Sequence, residues 1–518
     1  MKRNSIYLLV LAVFFGIVYV IIFDSKLDLN GDNCNYLSLA KAMSNGLGYS
    51  IVTPSGVTPA SHYPPGYSAF LSIFMFLGIN NLVFFKVLNG IFLFLSLAGL
   101  FYLASNIKNN RILGFVAVIL ATLSPEVLSF SCSVMSEMLF LFASVVCFFA
   151  LYKYSQRPAK TKRFWASPWF YVAIVATAYA YYLRTVGAAL VLGLIIFYIF
   201  RKEWWQAFAS LGGFVLLNLP WSIRNSIYGI ESRYLGTVMV VNPWRPEEGN
   251  ISSVGEFVHK MLVNFDDTVI KGFKELLFPF ITINSEVHSN AFQIAMGLIV
   301  LAVVFYGAWN LKPLRWALMA YLLGQISLFM LWHGGNGSRY VVPVAPIIAV
   351  CFYVGLYSLI ALLLKKQTKF ISYIPYTFLL IGLLSFPAIK AQGEVAKMPF
   401  LPAYQNYFDM AKEMNRQLPR NTVCCCRKPE LFMYFAPDIY AVIYVYSTDP
   451  KQIIKDFVDK KVEYVILEQL GYGSTGRYLY PAIMANQELF SVVWQLPDPD
   501  TYLLKFERQK AIEKLNAK

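Results

Sequence analysis

Between Gly31 and Ser50 the chain reads GDNCNYLSLAKAMSNGLGYS, with Asp32 its one carboxylate, and HYPPGY follows at His62 to Tyr67. A carboxylate at such a loop can accept the proton of a hydroxyl nucleophile, a contribution of about 10²–10⁴ in rate. The same residue type also caps helices without doing chemistry. A second carboxylate, Glu137, opens an apolar stretch in SVMSEMLFLF, where a helix N-terminus is electrostatically favourable for it. Three arginines form a third group: Arg184, Arg224 in PWSIRN, and Arg339 in GGNGSRYVVP. Guanidinium groups around one cavity suit a phosphate or diphosphate. Singly, each also fits a side chain reaching for the lipid–water interface. Arg184 interrupts a long apolar region, and at mid-bilayer it would cost about 2.5–3.5 kcal/mol, so it is expected at a turn or a polar cavity. His62 and Tyr63 stand beside a rigid Pro-Pro turn and are candidate substrate contacts. With 4 His in the chain and no ligand spacing, no metal cage is expected. HExxH, P-loop, GxSxG and EF-hand patterns are absent.

The elements that must hold these residues are set by composition. The chain has 518 residues, 57% hydrophobic and 14% charged, with mean hydropathy +0.53. Soluble chains carry about a quarter charged residues, so this is a polytopic α-helical membrane protein. The net charge of +15 does not signal nucleic acid, because the Lys and Arg residues fall in short loops between apolar runs. Such loops are retained inside during insertion and attract anionic headgroups. MKRNS followed by Ile6 to Phe23 reads as an uncleaved first helix with its N-terminus cytoplasmic, since Phe23-Asp24-Ser25 is no A-x-A site.

Windows of roughly 17–22 apolar residues predict about eleven spans, at 5–23, 82–104, 112–131, 135–152, 168–183, 185–200, 205–221, 291–309, 314–332, 341–364 and 370–388. Pro65 to Gly78 is too short to span and is expected as a surface helix. Inside loops then hold Lys108, Arg111, Lys153, Arg157, Lys160, Lys162, Arg163, Arg201, Lys202, Lys312, Arg315, Lys365, Lys366 and Lys369, while the short outside turns hold Arg184 and Arg339. The transmembrane domain covers 1–388, with outer loops at 24–81 and 222–290. The segment 389–518 alternates helical stretches (404–417, 449–461) with β-branched runs (422–425, 462–467, 491–495, 501–506), which predicts a small extracytoplasmic α/β domain. Cys424, Cys425 and Cys426 are adjacent; neighbouring strand residues point to opposite faces, so buried packing is preferred over redox work, with a pairing to Cys34 left open. Asn250-Ile251-Ser252 is a glycosylation sequon.

Taken together these motifs resemble the C-type superfamily of membrane glycosyltransferases, nearest to bacterial protein-mannosyltransferase-like and lipid A aminoarabinose transferase-like proteins. The match runs through GDNCNY and GLGY, HYPPGY, Ser136-Glu137, LRTVG (183–187), PWSIRN (220–225) and SRYVVPVAP (338–346), over roughly residues 5–350. The resemblance implies a GT-C-like fold and inverting sugar transfer from a polyprenyl-phosphate donor to a lipid, glycan or protein hydroxyl. It implies a bacterial plasma (inner) membrane location, with the chemistry at the extracytoplasmic face. It maps the essential loop Asp to Asp32, the outer carboxylate to Glu137, and lipid-phosphate contacts to Arg184, Arg224 and Arg339. Many relatives have a second acid after the loop Asp, where this chain has Asn33; no obligatory divalent metal or other cofactor is therefore expected. The rival readings are a polysaccharide polymerase or ligase using a lipid-diphosphate donor, a lipid or glycolipid transporter, and a non-catalytic assembly subunit.

Overall fold

The computed structural model describes residues 2–53, 56–157, 164–230, 233–281, 287–332, 337–364 and 368–516. The expected inside-loop cations Lys160, Lys162, Arg163, Lys365 and Lys366 lie outside the described residues. The chain forms two compact units. The first is Met1–Leu27, Ser61–Val238 and Ser253–Lys397; the second is Asp28–Ala60, Met239–Ser252 and Met398–Lys518.

The first unit is helical. Among the described residues, seven helices are long and apolar enough to cross a membrane: Asn4–Ile22, Leu82–Lys108, Glu137–Ser155, Ala291–Asn310, Lys312–Leu331, Val342–Leu363 and the run that starts at Ile374. The chain is a multi-pass membrane protein by this measure, but the expected count of about eleven is not reached. The predicted span at 112–131 is two helices, Arg111–Thr122 and Pro125–Ser131, bent by 73°. Proline has no N–H to donate and disfavours helical backbone in the residue before it; Ser124 is accordingly extended at φ −89, ψ 112. Pro168–Leu183 has 16 residues and ends at Arg184, and Thr185–Phe200 is also short. Trp204–Ile227 is 24 residues long but carries Asn218 and Pro220, and is not apolar enough to qualify. The expected surface segment is the helix Gly66–Phe76, whose buried side is Gly66, Tyr67, Ser68 and Leu71.

Close packing in this unit relies on small residues. A Cβ at Gly307 would strike the carbonyl of Cys351, and one at Gly355 would strike that of Val303, so Ala291–Asn310 and Ala345–Leu363 meet backbone to backbone. Backbone contact of this kind supplies the dispersion that lipid-exposed Leu cannot. A buried lysine fixes the exit from the first helix. Lys86, 2% exposed, donates to the carbonyls of Asp24 at 2.7 Å and of Lys26. Lys26 in turn reaches the carbonyl of Ala396 at 2.6 Å.

The second unit contains a hairpin, β1 (Ser50–Thr53) with β2 (Gly56–Pro59), and a mixed five-stranded sheet. Its strands are β3 (Val423–Cys425), β4 (Tyr440–Val442), β5 (Tyr464–Leu467), β6 (Phe490–Leu496) and β7 (Thr501–Phe506), in the order β4-β3-β5-β7-β6. The α/β character expected of the tail is present. β3 runs parallel to β4 and β5, whereas β7 pairs antiparallel with β5 and β6. A strand covered on both faces has no polar side, which explains the cysteine triplet. Cys424, Cys425 and Cys426 are all 0% exposed, and Cys425 packs in the core with Ile453, Phe457, Val465 and Leu504. Every cysteine, Cys34 included, is a free thiol.

Candidate functional site

Asp32 is the first residue of the helix Asp32–Ser44, capped by Gly31 at φ 93. Its carboxylate therefore stands at the positive end of the helix and is half-exposed. Asn33, wholly buried, staples the turn: its Oδ1 accepts from the N–H of Gly31 at 3.1 Å, and its Nδ2 donates to the carbonyl of Asp28 at 3.1 Å. The residue in place of a second loop acid is thus occupied in holding backbone.

The second unit brings two tail residues to this turn. Lys428 donates to the carbonyl of Asn30 at 2.7 Å and lies 3.7 Å from Oε1 of Glu430, with side chains only 13% and 19% exposed. The carboxylate of Glu430 fills the space in which a Cβ of Gly31 would sit. Burial raises the Glu430 carboxyl above its ordinary value, with Lys428 opposing and Asp32 adding to the rise. Positive φ strains any side chain at position 31, and a Cβ there would also push the Glu430 carboxylate aside. Gly31→Ala is expected to cost about 1–3 kcal/mol and to lower the unfolding midpoint of the purified protein; an unchanged midpoint would show the turn to be slack.

Sequence reasoning passed over both tail residues. Glu430 lies on the short helix Pro429–Phe435, which has Pro at its first position and Glu430 in its first turn. That start signal was present in the sequence, but nothing local pointed to Gly31.

In the first unit, Glu137 and Arg184 meet. Arg184 Nη1 lies 2.6 Å from Glu137 Oε1, with the arginine side chain 20% exposed and the glutamate 0%, and it also reaches Ser136 Oγ at 3.2 Å. Arg184 is extended at φ −152, ψ 133, between Pro168–Leu183 and the turn that follows. Oε2 of Glu137 is buried with no hydrogen-bond partner among the described residues. Another residue not singled out, Asn89, ties the start of the Glu137 helix to the YPPGY segment. Its buried amide donates to the hydroxyl of Tyr67 at 3.0 Å, to the carbonyl of Met135 at 3.0 Å and to that of Ser133.

The remaining candidates are not drawn into that pair by any direct contact described in the structure. Arg224 ends the helix Trp204–Ile227, lies over the rings of Trp221 at 4.7 Å and Tyr228 at 5.3 Å, and donates to Asn225 at 2.8 Å. Arg339 is half-buried in the turn Gly337–Tyr340. His62 is exposed and packs edge-on against Tyr63 at 4.4 Å. Among the described residues, no three His, Cys, Asp or Glu side chains are grouped to hold a metal ion.

No family model matches the chain, and no curated protein does. Solved structures do. The Archaeoglobus fulgidus oligosaccharyltransferase, tethered to an acceptor peptide containing the NVT sequon, aligns with TM-score 0.61 and 12% identity over 97% of this chain and 74% of its own. The same enzyme in complex with Zn and sulfate aligns with TM-score 0.60 and 13% identity over 96% and 72%. ArnT from Cupriavidus metallidurans, bound to undecaprenyl phosphate, aligns with TM-score 0.54 and 11% identity over 97% of this chain and 98% of that one. The fold is thus the one used by these membrane glycosyltransferases, as the sequence motifs led us to expect.

Proposed function

We propose that this protein is a membrane glycosyltransferase that moves a sugar from a polyprenyl-phosphate donor to a hydroxyl acceptor, with inversion, at the extracytoplasmic face of a bacterial plasma membrane. The observation that carries the reading is the end-to-end fold match to ArnT, a protein of nearly the same extent that binds undecaprenyl phosphate. Asp32 takes the proton of the acceptor hydroxyl as its oxygen bonds to the sugar C1. The bond from C1 to the phosphate oxygen breaks on the opposite side, and polyprenyl phosphate leaves with the electron pair. Charge on that leaving group is met by Arg184, Arg224 and Arg339, so that positioning and neutralisation supply much of the rate. Glu137, wholly buried, acts through Arg184, whose guanidinium it orients. His62 and Tyr63 are assigned to substrate contact.

The test is turnover by the purified protein in nanodiscs, offered a panel of undecaprenyl-phosphate sugars together with envelope lipids as acceptors. Release of undecaprenyl phosphate is expected from at least one donor. Release only from diphosphate-linked donors would replace this reading with the polymerase or ligase class, and none from either would favour transport. Because arginines carry the neutralisation, activity is expected to survive exhaustive EDTA treatment; loss restored by a divalent ion would overturn that part.

A further inference from the structure

We propose that Glu430 and Lys428, contributed by the tail, are positioning residues for Asp32, so that the reacting turn is completed by a segment some four hundred positions downstream. The inference rests on the reading of Asp32 as the base. Three contacts within the second unit carry it. Lys428 holds the carbonyl of Asn30 at 2.7 Å, which fixes the backbone immediately ahead of Asp32. The carboxylate of Glu430 lies against Gly31 in the space its absent side chain leaves, and Lys428 pairs with that carboxylate at 3.7 Å. Lys428 is itself held, since its carbonyl accepts from the hydroxyl of Tyr407 at 2.9 Å and its ammonium lies 5.1 Å from the centre of the Tyr472 ring.

The placement is costly for the fold, which argues for a use. Around Glu430 stand the cations Lys428 and Arg427 and the acid Asp32. The thiols of Cys34 and Cys426 also face it, as do the hydroxyls of Tyr407 and Tyr446. Burial dominates and raises its carboxyl above the ordinary 4.5. A group raised in the folded state stabilises fully below its unfolded value, and that stabilisation is lost as pH rises through the folded value. Glu430→Gln is therefore expected to match the wild-type unfolding midpoint under acid conditions and to exceed it toward neutral pH. A residue kept for stability alone would behave in the opposite way.

The experiment compares the full chain with Glu430→Gln, Glu430→Asp, Glu430→Ala and Lys428→Met in nanodiscs. With an undecaprenyl-phosphate sugar that the wild type turns over, kcat of Glu430→Gln is expected to fall roughly 10–100-fold, the scale of a small misplacement of a reacting group. Its KM for donor should stay within about twofold, and Glu430→Asp should recover part of the loss. Wild-type kcat in Glu430→Gln, or a loss that follows a lowered unfolding midpoint, would overturn the proposal. A second arm is independent of turnover. Hydrogen exchange of the amides from Gly31 to Asn35 should quicken about tenfold in Glu430→Ala and Lys428→Met, with peptides of the first unit unchanged. Unaltered exchange there would overturn it even if the wild type proves active. A wild type inactive with every donor, together with quickened exchange in the two variants, would remove the glycosyltransferase reading and leave the positioning contact standing.

Discussion

Asp32→Asn, purified beside the wild type and assayed for release of undecaprenyl phosphate, is expected to lose about 10²–10⁴ in rate, the range a positioned general base supplies. Asparagine keeps the size of the side chain and remains acceptable at a helix start. Asp32 is the first residue of its helix and half-exposed, and the helix-dipole interaction that the substitution removes is worth about 0.3–1 kcal/mol. The variant should therefore unfold within a few degrees of the wild type, and its lost turnover cannot be attributed to lost structure. The capping alternative makes the reverse forecast: a small drop in stability and a rate within a few fold. Equal turnover by a well-folded Asp32→Asn would remove the base from the mechanism and return weight to a binding or assembly role.

The second large effect concerns the Glu137–Arg184 pair, and it is asymmetric. Arg184→Met leaves a carboxylate that is 0% exposed without its 2.6 Å partner. Breaking a buried ion pair from one side costs about 3–5 kcal/mol. Glu137→Gln leaves a guanidinium that is 20% exposed and still bonded to Ser136, so it should cost less. The double variant should be more stable than Arg184→Met alone, because no uncompensated charge remains. Unfolding midpoints of the four proteins in one detergent make the cycle. Additive effects would mean that the pair is not coupled, and Glu137 would lose its role as the group that orients Arg184. On the proposed mechanism Glu137→Gln also weakens donor use, since a guanidinium free to turn presents fewer donors to a phosphate.

Much of the membrane architecture was legible because the signal is local. A span is recorded in some twenty consecutive residues, and the helices Leu82–Lys108, Ala291–Asn310 and Val342–Leu363 fall where apolar windows put them. At 112–131 the apolar stretch is there, but hydropathy does not show the break at Ser124-Pro125, where backbone chemistry bends the chain by 73°. In the tail, β-branched runs located β3, β5, β6 and β7, while β4 escaped notice. With three residues, Tyr440–Val442, it shows no period to read, and only its pairing with β3 makes it a strand.

The site divides along the same line. Asp32 stood out because it opens a glycine-punctuated loop just past an apolar helix. Its surroundings did not. Asn33 read as a missing acid, yet it is the staple of the turn. Arg184 and Glu137 read as separate candidates, one for phosphate and one as a second carboxylate, yet each is the other's partner. Lys428 and Asn30 are separated by 398 positions, and no window of sequence spans such a distance. By itself, then, the sequence determined what lipid and water decide residue by residue: that the chain is helical and multi-pass, and where its longest apolar helices lie. Only the tertiary structure decided which charges neutralise one another and which backbone they grip, because those choices depend on distances set by packing and not on order along the chain.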